Sequence, residues 1–296
     1  MLGRRWRSLF QRRAGDRAVT AAQPTPDHDL DFTIIICTCN RPDMWPRALA
    51  SALHQTHNRY EIVVVDDSSH HPVVLENPTE RSVRVVRSPQ RLGFAGAINL
   101  GARHAKGRRI ALLDDDDEYE PDLLSRTHAR IRAQPDRQFS WCSTVFVQYD
   151  GSGKPVREAI RGFPEDYEAE EDLLLTTVSI GSGYGFTVSR QVFQELGGFD
   201  HQRYWAIADT EFMYRLIAAG HRPAIVSEPL MRVHKHDGPR MTDRRSYRNR
   251  ARQCELLRTS YAGLIHQYPR LGAAIDKSIE QLTALAVAVE SEEVRK

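Results

Sequence analysis

No apolar run among the 296 residues approaches the roughly 20 that a membrane-spanning helix needs, so no transmembrane segment is expected. The opening "MLGRRWRSLFQRR" has no uninterrupted apolar stretch, which argues against a cleaved secretory leader. Cysteine is scarce: Cys37, Cys39, Cys142 and Cys254 are all there is. Cys37 and Cys39 alternate with Thr38 inside an apolar run, and no second pair stands at zinc-ligand spacing. Buried thiols are therefore expected rather than metal ligation. Without a disulfide framework the chain suits a reducing, cytoplasmic compartment. Neither charge dominates, because 41 basic and 39 acidic residues leave a net +2, and whole-chain charge gives no argument for nucleic acid. Internal repeats and low-complexity tracts are missing too.

What is present is ordinary globular composition, 41% apolar and 27% charged, in a length that fits one large α/β domain with or without an appendage. Residues 1–30 open the chain with a basic amphipathic segment and a linker. In the first, Leu2, Trp6, Leu9 and Phe10 fall at helical spacing with five arginines mostly on other faces. Such a segment either lies on an anionic membrane surface, here the inner face of the cell membrane, or is a solvated tail. The linker, residues 14–30, is small and polar. "DFTIIICTCN", "YEIVVVDDSS", "SVRVVRS" and "RRIALL" then read as strands, interleaved with helical patterns at "RPDMWPRALASALHQT" and "GFAGAINLGARHAKG". The alternation predicts a Rossmann-like, doubly wound and mostly parallel sheet. Beyond Asp122 a helix, the long strand "FSWCSTVFVQYD", a turn at "GSGKPVREA" and an irregular acidic stretch to Leu175 are expected. "DTEFMYRLIAAGHRP" reads as a helix and "AIVSEPLMRVH" as a strand. From Asp243 onward, leucines and isoleucines sit in helix-favouring sequence.

Four adjacent aspartates, Asp114 to Asp117, run straight out of an apolar strand, and Asp66 and Asp67 end another. Parallel strands release both clusters at one edge, where α/β sheets bind ligands. Like charges gathered there repel one another, and a cation or polar ligand relieves the repulsion. Residues i and i+2 of an extended segment share a side, which pairs Asp114 with Asp116 and Asp115 with Asp117. Carboxylate oxygens suit Mg²⁺ or Mn²⁺. A solvated acidic turn, and capping of the next turn by Asp66 and Asp67 through Ser68 and Ser69, are the plainer alternatives.

Together "TIIICTCNRP", "EIVVVDDSS", "GRRIALLDDDDEYEPDLL" and "GGFDHQRYWAIADTEFMYRLIAAGH" resemble, in order and spacing, the family 2 glycosyltransferases of the GT-A fold. The likeness covers roughly residues 31–240. It implies a nucleotide-binding part at 31–118, an acceptor part at 119–240 and a helical C-terminal extension at 241–296. It further implies inverting transfer of a sugar from a nucleoside-diphosphate-sugar, UDP-linked above all, to a hydroxyl on a glycan, lipid-linked or other acceptor. Bacterial cell-surface polysaccharide or glycoconjugate synthesis is the implied setting. Carried over residue by residue, the resemblance puts Asp67 at the nucleotide base and Thr38, Arg41, Arg91, Asp114 and Asp115 on the donor. Asp114 and Asp116 hold Mn²⁺ or Mg²⁺, with His234 or His236 approaching the metal or diphosphate. Asp209 is the catalytic base, with Glu211 the nearest substitute. The family commonly has Glu-Asp at that point, whereas this chain has Ala208-Asp209.

Three other readings compete. A nucleotidyltransferase wants a glycine-rich phosphate loop after the first strand, and "CTCNRPDM" contains no glycine. A signalling receiver matches "VVVDDSS" but is about half this length. A catalytically weak nucleotide-sugar-binding scaffold of the same fold draws its support from Ala208. Arg41 and Arg91 also read as solvated arginines, and a basic run at "DRRSYRNRAR" offers a second candidate membrane contact.

Overall fold

A computed structural model describes residues 30–75, 83–163, 169–180, 183–236 and 246–294; the basic N-terminal segment and most of its linker lie outside the described residues. The first half of the chain gives β1 (Phe32–Thr38), α1 (Trp45–Leu53), β2 (Tyr60–Asp66), β3 (Val83–Arg87), α2 (Gly93–His104), β4 (Arg109–Asp114), β5 (Glu118–Tyr119) and α3 (Leu123–Ala133). The second gives β6 (Phe139–Tyr149), β7 (Pro155–Arg161), α4 (Glu170–Ile180), β8 (Phe186–Ser189), α5 (Arg190–Glu195), α6 (Ala208–Ala218) and β9 (Pro223–Lys235). Three helices follow: α7 (Tyr247–Ser260), α8 (Ala262–Gln267) and α9 (Pro269–Val294). Among the described residues no helix is long and apolar enough to cross a membrane.

Among the described residues nine strands form one sheet in the order β3-β2-β1-β4-β8-β6-β9-β5, with β7 paired to the later part of β6, beyond its pairing with β8. The β3-β2-β1-β4 half is wholly parallel. Beyond it β8 runs antiparallel to β4 and β6, β9 parallel to β6, and β5 antiparallel to β9. β2 is buried along its whole length and β1 at every residue but Cys37, as parallel strands covered on both faces require. Alternate β1 side chains divide between two cores: Ile35 packs with α2, α5 and α6, while Ile34 and Ile36 pack with α1 and α3. Gly101 lets α2 lie flush on the sheet, since a Cβ there would sit 2.7 Å from Ile35 Cγ2. Leu257, Tyr261, Leu264, Leu271 and Ile275 of the C-terminal helices complete the α6-side core.

Two expected elements came out differently. "GSGKPVREA" contains a turn only at its start and then enters β7, which is exposed almost throughout and so lacks any burial pattern to read. The acidic stretch before Leu175 includes α4, whose first turn carries Glu170, Glu171 and Asp172. Acids there complement the helix dipole, and Leu173 and Leu174 behind them are fully buried.

The parallel register fixes the site. Thr38 lies opposite Asp66, and Cys37 opposite Asp114, so the carboxyl ends of β1, β2 and β4 meet at one edge.

Candidate active site

The acidic run is a turn rather than an extended segment. Asp117 N donates to Asp114 O at 3.2 Å, closing the chain on itself directly after β4. The turn swings Asp117 inward, and carboxylate oxygens of Asp114, Asp116 and Asp117 lie within 4.8 Å of one another. Asp115 stands outside that group, and Arg41 Nη1 donates to its Oδ1 at 2.5 Å. Burial pushes the Asp115 carboxyl up, opposed by the Arg41 charge and the Thr38 hydroxyl beside it. Alternation along a strand pairs Asp114 with Asp116, but only the turn brings in Asp117.

A basic frame surrounds this cluster. Arg41 Nη1 also lies 3.2 Å from Asp116 Oδ2, and Arg47 of α1 donates to the Asp116 carbonyl at 2.6 Å while pairing with Glu118 at 2.9 Å. Pairing of β5 with β9 draws the end of β9 against the turn. His236 Nε2 sits 2.9 Å from Asp116 Oδ2. His234 points elsewhere: its Nδ1 is 2.5 Å from Tyr149 Oη, its Nε2 is 3.2 Å from Glu118 Oε1, and its backbone N–H donates to Asp117 Oδ1 at 3.1 Å. Of the two histidines, His236 is the one whose ring meets the acidic turn.

At the end of β2 the two aspartates act as braces. Asp66 accepts from Ser69 N at 2.9 Å, Val73 N at 3.1 Å and the Arg87 guanidinium. Burial alone would raise its carboxyl, but these bonds hold it below the ordinary value. Asp67 accepts from Leu92 N at 2.7 Å and Gly93 N at 2.9 Å, gripping the start of α2 with both oxygens. Asn40 and Ser68 adopt φ of 55° and 61°, left-handed values uncommon outside glycine. They sit where the β1 and β2 loops are laced together, with Asn40 N on Ser69 Oγ at 3.0 Å and His70 N on Asn40 Oδ1 at 2.7 Å. Arg91 is exposed, and its charge reaches Cys39.

Facing the turn is the start of α6. Burial raises the Asp209 carboxyl, against hydrogen bonds from the Thr210 and Gly183 backbone and the charge of Arg250. Its own charge in turn helps raise Asp114. Gly183 leaves room for it, because a Cβ there would lie 3.1 Å from Asp209 Oδ2. Ala208, where a second acid was expected from the resemblance, is buried. Glu211 is committed: Arg215 holds both its oxygens at 2.9 and 2.8 Å, and Tyr261 donates to Oε1 at 2.6 Å. Sequence reasoning missed Arg47, Asp117 as a third converging acid, and Arg250, which α7 brings to Asp209 from inside the basic run.

Three hard-oxygen groups crowded together, Asp116 and Asp117 buried and Asp114 half-buried, fit a divalent cation. The Asp114 carboxyl is pushed up from 3.8 to about 8, first by burial and then by Asp116, Asp115 and Asp209. A carboxyl whose folded value lies above its unfolded one stabilises the fold while protonated, and that stabilisation drains away as pH rises from about 4 through about 8. The melting temperature of cation-free protein should therefore fall across that window. Mn²⁺ or Asp114→Asn should flatten the fall, and a fall unchanged by both would remove Asp114 as its source.

The family model for "Glycosyl transferase family 2" matches residues 33–197. An uncharacterized glycosyltransferase of Haemophilus influenzae is 28% identical over 67% of this chain and 66% of its own. The amylovoran biosynthesis glycosyltransferase AmsB of Erwinia amylovora is 26% identical over 70% of each chain. The succinoglycan biosynthesis protein ExoO of Rhizobium meliloti is 38% identical over 37% of this chain, which spans only 32% of ExoO. Among solved structures, S. aureus TarS residues 1–349 in complex with UDP-GlcNAc aligns with a TM-score of 0.58 and 19% identity over 78% of this chain and 66% of that one. At that identity the likeness speaks for the fold, a mixed α/β sheet of the GT-A type with a helical C-terminal region.

Proposed function

The chain belongs to glycosyltransferase family 2, and from that membership and its site we propose an inverting, cation-dependent transferase that moves a sugar from a UDP-sugar to an acceptor hydroxyl. The observation that carries the reading is the cluster of Asp114, Asp116 and Asp117 at the carboxyl edge of the sheet, with Asp209 near enough for its charge to raise Asp114: two acidic sites to which we give separate tasks.

Asp114 and Asp116 are the residues to hold Mn²⁺ or Mg²⁺, with Asp117 and His236 adjoining. Such an ion, when bound, neutralises charge on the departing diphosphate. Arg41, already poised over Asp115 and Asp116, is positioned to take up phosphate charge as well. Thr38 and Asp115 line the donor side. Asp67 fixes the start of α2 beside the nucleotide, and Arg91 stands at the rim. On the other side Asp209 takes the acceptor proton as the oxygen attacks the anomeric carbon opposite the leaving group, the geometry that inverts it. Burial, which raises its carboxyl, makes it a stronger base than an exposed aspartate.

The UDP-GlcNAc complex of TarS supports a uridine nucleotide. The names of ExoO and AmsB, biosynthesis proteins of succinoglycan and amylovoran, support an acceptor in polysaccharide synthesis; work at the cytoplasmic face of the membrane is part of the same proposal. A thermal-shift panel of UDP-, GDP- and TDP-sugars tests the donor. A ligand bound only by the folded state raises the melting temperature, by about 2.7 kcal/mol of added stability at a hundredfold excess over Kd. The rise is expected for a UDP-sugar with Mn²⁺ and should vanish in EDTA. No response to any UDP-sugar would end the donor assignment.

A further inference from the structure

A second cluster lies at the far end of the sheet, where the parallel strands begin. Asp31 immediately precedes β1, His57 lies in the turn between α1 and β2, and His128 is on α3. These stretches share no local sequence, yet they converge on one atom. Asp31 Oδ2 is 3.1 Å from His57 Nε2 and 3.8 Å from His128 Nδ1. One nitrogen from each ring and one carboxylate oxygen all lie within 4.8 Å of one another. The imidazole rings are 5.0 Å apart, and Phe32 meets both edge-on at 5.3 and 6.2 Å, forming an apolar backing. Side-chain exposures of 12% for His57, 13% for Asp31 and 32% for His128 leave the cluster sheltered but reachable. It opens on a cavity of about 480 Å³ that Arg59, Arg108 and Arg132 also line.

We propose that Asp31, His57 and His128 bind a transition-metal ion of the zinc class, with its fourth coordination position facing that cavity. Ligands about 2.0–2.1 Å from a tetrahedral zinc stand about 3.3 Å from each other. The two oxygen–nitrogen separations here bracket that spacing, so small side-chain rotations close the shell. Donor chemistry separates this cluster from the aspartate turn. Two imidazoles and one carboxylate suit zinc and its neighbours iron(II), cobalt, nickel and copper, whereas an all-carboxylate set suits magnesium or manganese. Arg59 Nε, 3.4 Å from Asp31 Oδ2, can slide to the other carboxylate oxygen and orient it from outside the shell. The neighbouring arginines favour an anion or hydroxide in the open position over a second cation. An ion here ties the chain entering β1 to α3 and to the α1–β2 turn. It is a clip on the fold at the opposite edge from the nucleotide site, and it does not depend on the glycosyltransferase reading.

The test uses the full chain, stripped with EDTA and returned to excess Mg²⁺, which fills a hard-oxygen site but competes poorly for imidazole. Equilibrium dialysis should then find about one tightly held zinc per chain, and zinc should raise the melting temperature. His128→Gln, a change on the outer side of the cluster, should abolish that zinc, and so should Asp31→Asn. Substituting Co²⁺ into unmutated protein should give the strong visible d–d bands of a four- or five-coordinate nitrogen-containing site. That measurement stands even if a variant folds poorly. Zinc uptake unchanged in both variants, or cobalt giving only the weak spectrum of an all-oxygen site, would overturn the proposal.

Discussion

Asp116→Ala should weaken UDP-sugar binding in Mn²⁺ by about 10²-fold or more, a loss of about 2.7 kcal/mol, while the cation-free protein melts no lower than before. Both halves follow from one geometry. Asp116 is the point where the turn meets its surroundings, with Arg41 at 3.2 Å, His236 at 2.9 Å and Asp114 and Asp117 beside it. Removing its carboxylate leaves a cation with one ligand fewer and removes the acid 2.9 Å from His236. The same change removes the strongest neighbouring charge that raises Asp114, and this relief of repulsion offsets the lost contacts to Arg41 and His236. Function and stability should therefore move apart, as they do where a site is strained for its task. Isothermal titration with and without Mn²⁺ reads the binding, and a melting curve in EDTA reads the fold. Asp115→Ala supplies the contrast: it removes the shorter of Arg41's two carboxylate contacts, so donor binding weakens, but the response to Mn²⁺ persists. Normal donor affinity in Asp116→Ala would remove Asp116 from the cation site.

How much of this could be read in the chain follows from what each signal depends on. β1, β2 and β4 are legible because strands buried on both faces must be continuously apolar, and "III", "IVVV" and "IALL" are. Their common edge is legible because interleaved helices imply parallel strands, and the register of Thr38, Asp66 and Asp114 bears that out. β7 is illegible because it is held by backbone pairing to β6 and is exposed almost throughout, so burial imposes no pattern on it. Asp117 was paired by alternation with Asp115, a rule for extended chain, but the bond from Asp117 N to Asp114 O makes the segment a turn. The choice between His234 and His236 rests on how β9 ends against β5, a long-range pairing that no local signal carries. The double grip of Asp67 on Leu92 and Gly93 shows the same limit: an acid ending a strand is visible, but what it grips 25 and 26 residues later is not. Arg250 is hidden more deeply, because a basic run reads as a charged surface until α7 folds back on the site.

The chemistry turns on Asp209. Asp209→Asn keeps the shape of the side chain and should leave donor affinity and melting temperature nearly unchanged. Its turnover should drop by about 10² to 10⁴, the usual worth of general-base assistance. Asparagine retains a carbonyl oxygen for the Thr210 and Gly183 amides, so the start of α6 keeps its support. What it cannot do is accept the acceptor's proton at neutral pH. Glu211 cannot stand in, because both its oxygens are bound by Arg215 and one also by Tyr261, all in a buried pocket. Glu211→Gln should accordingly damage the fold, since it breaks a buried charge pair and leaves Arg215 without its counter-charge. Its turnover per folded molecule should hold. Arg250→Ala completes the set: without that charge the Asp209 carboxyl rises further, so the acid limb of the kcat/KM profile should move to higher pH while Asp209→Asn has no such limb to move. Turnover measured with a soluble acceptor, normalised to folded protein, distinguishes the three. Full turnover in Asp209→Asn would show that the acceptor proton leaves by another route, whereas no donor turnover in the unmutated chain would return the scaffold reading drawn from Ala208.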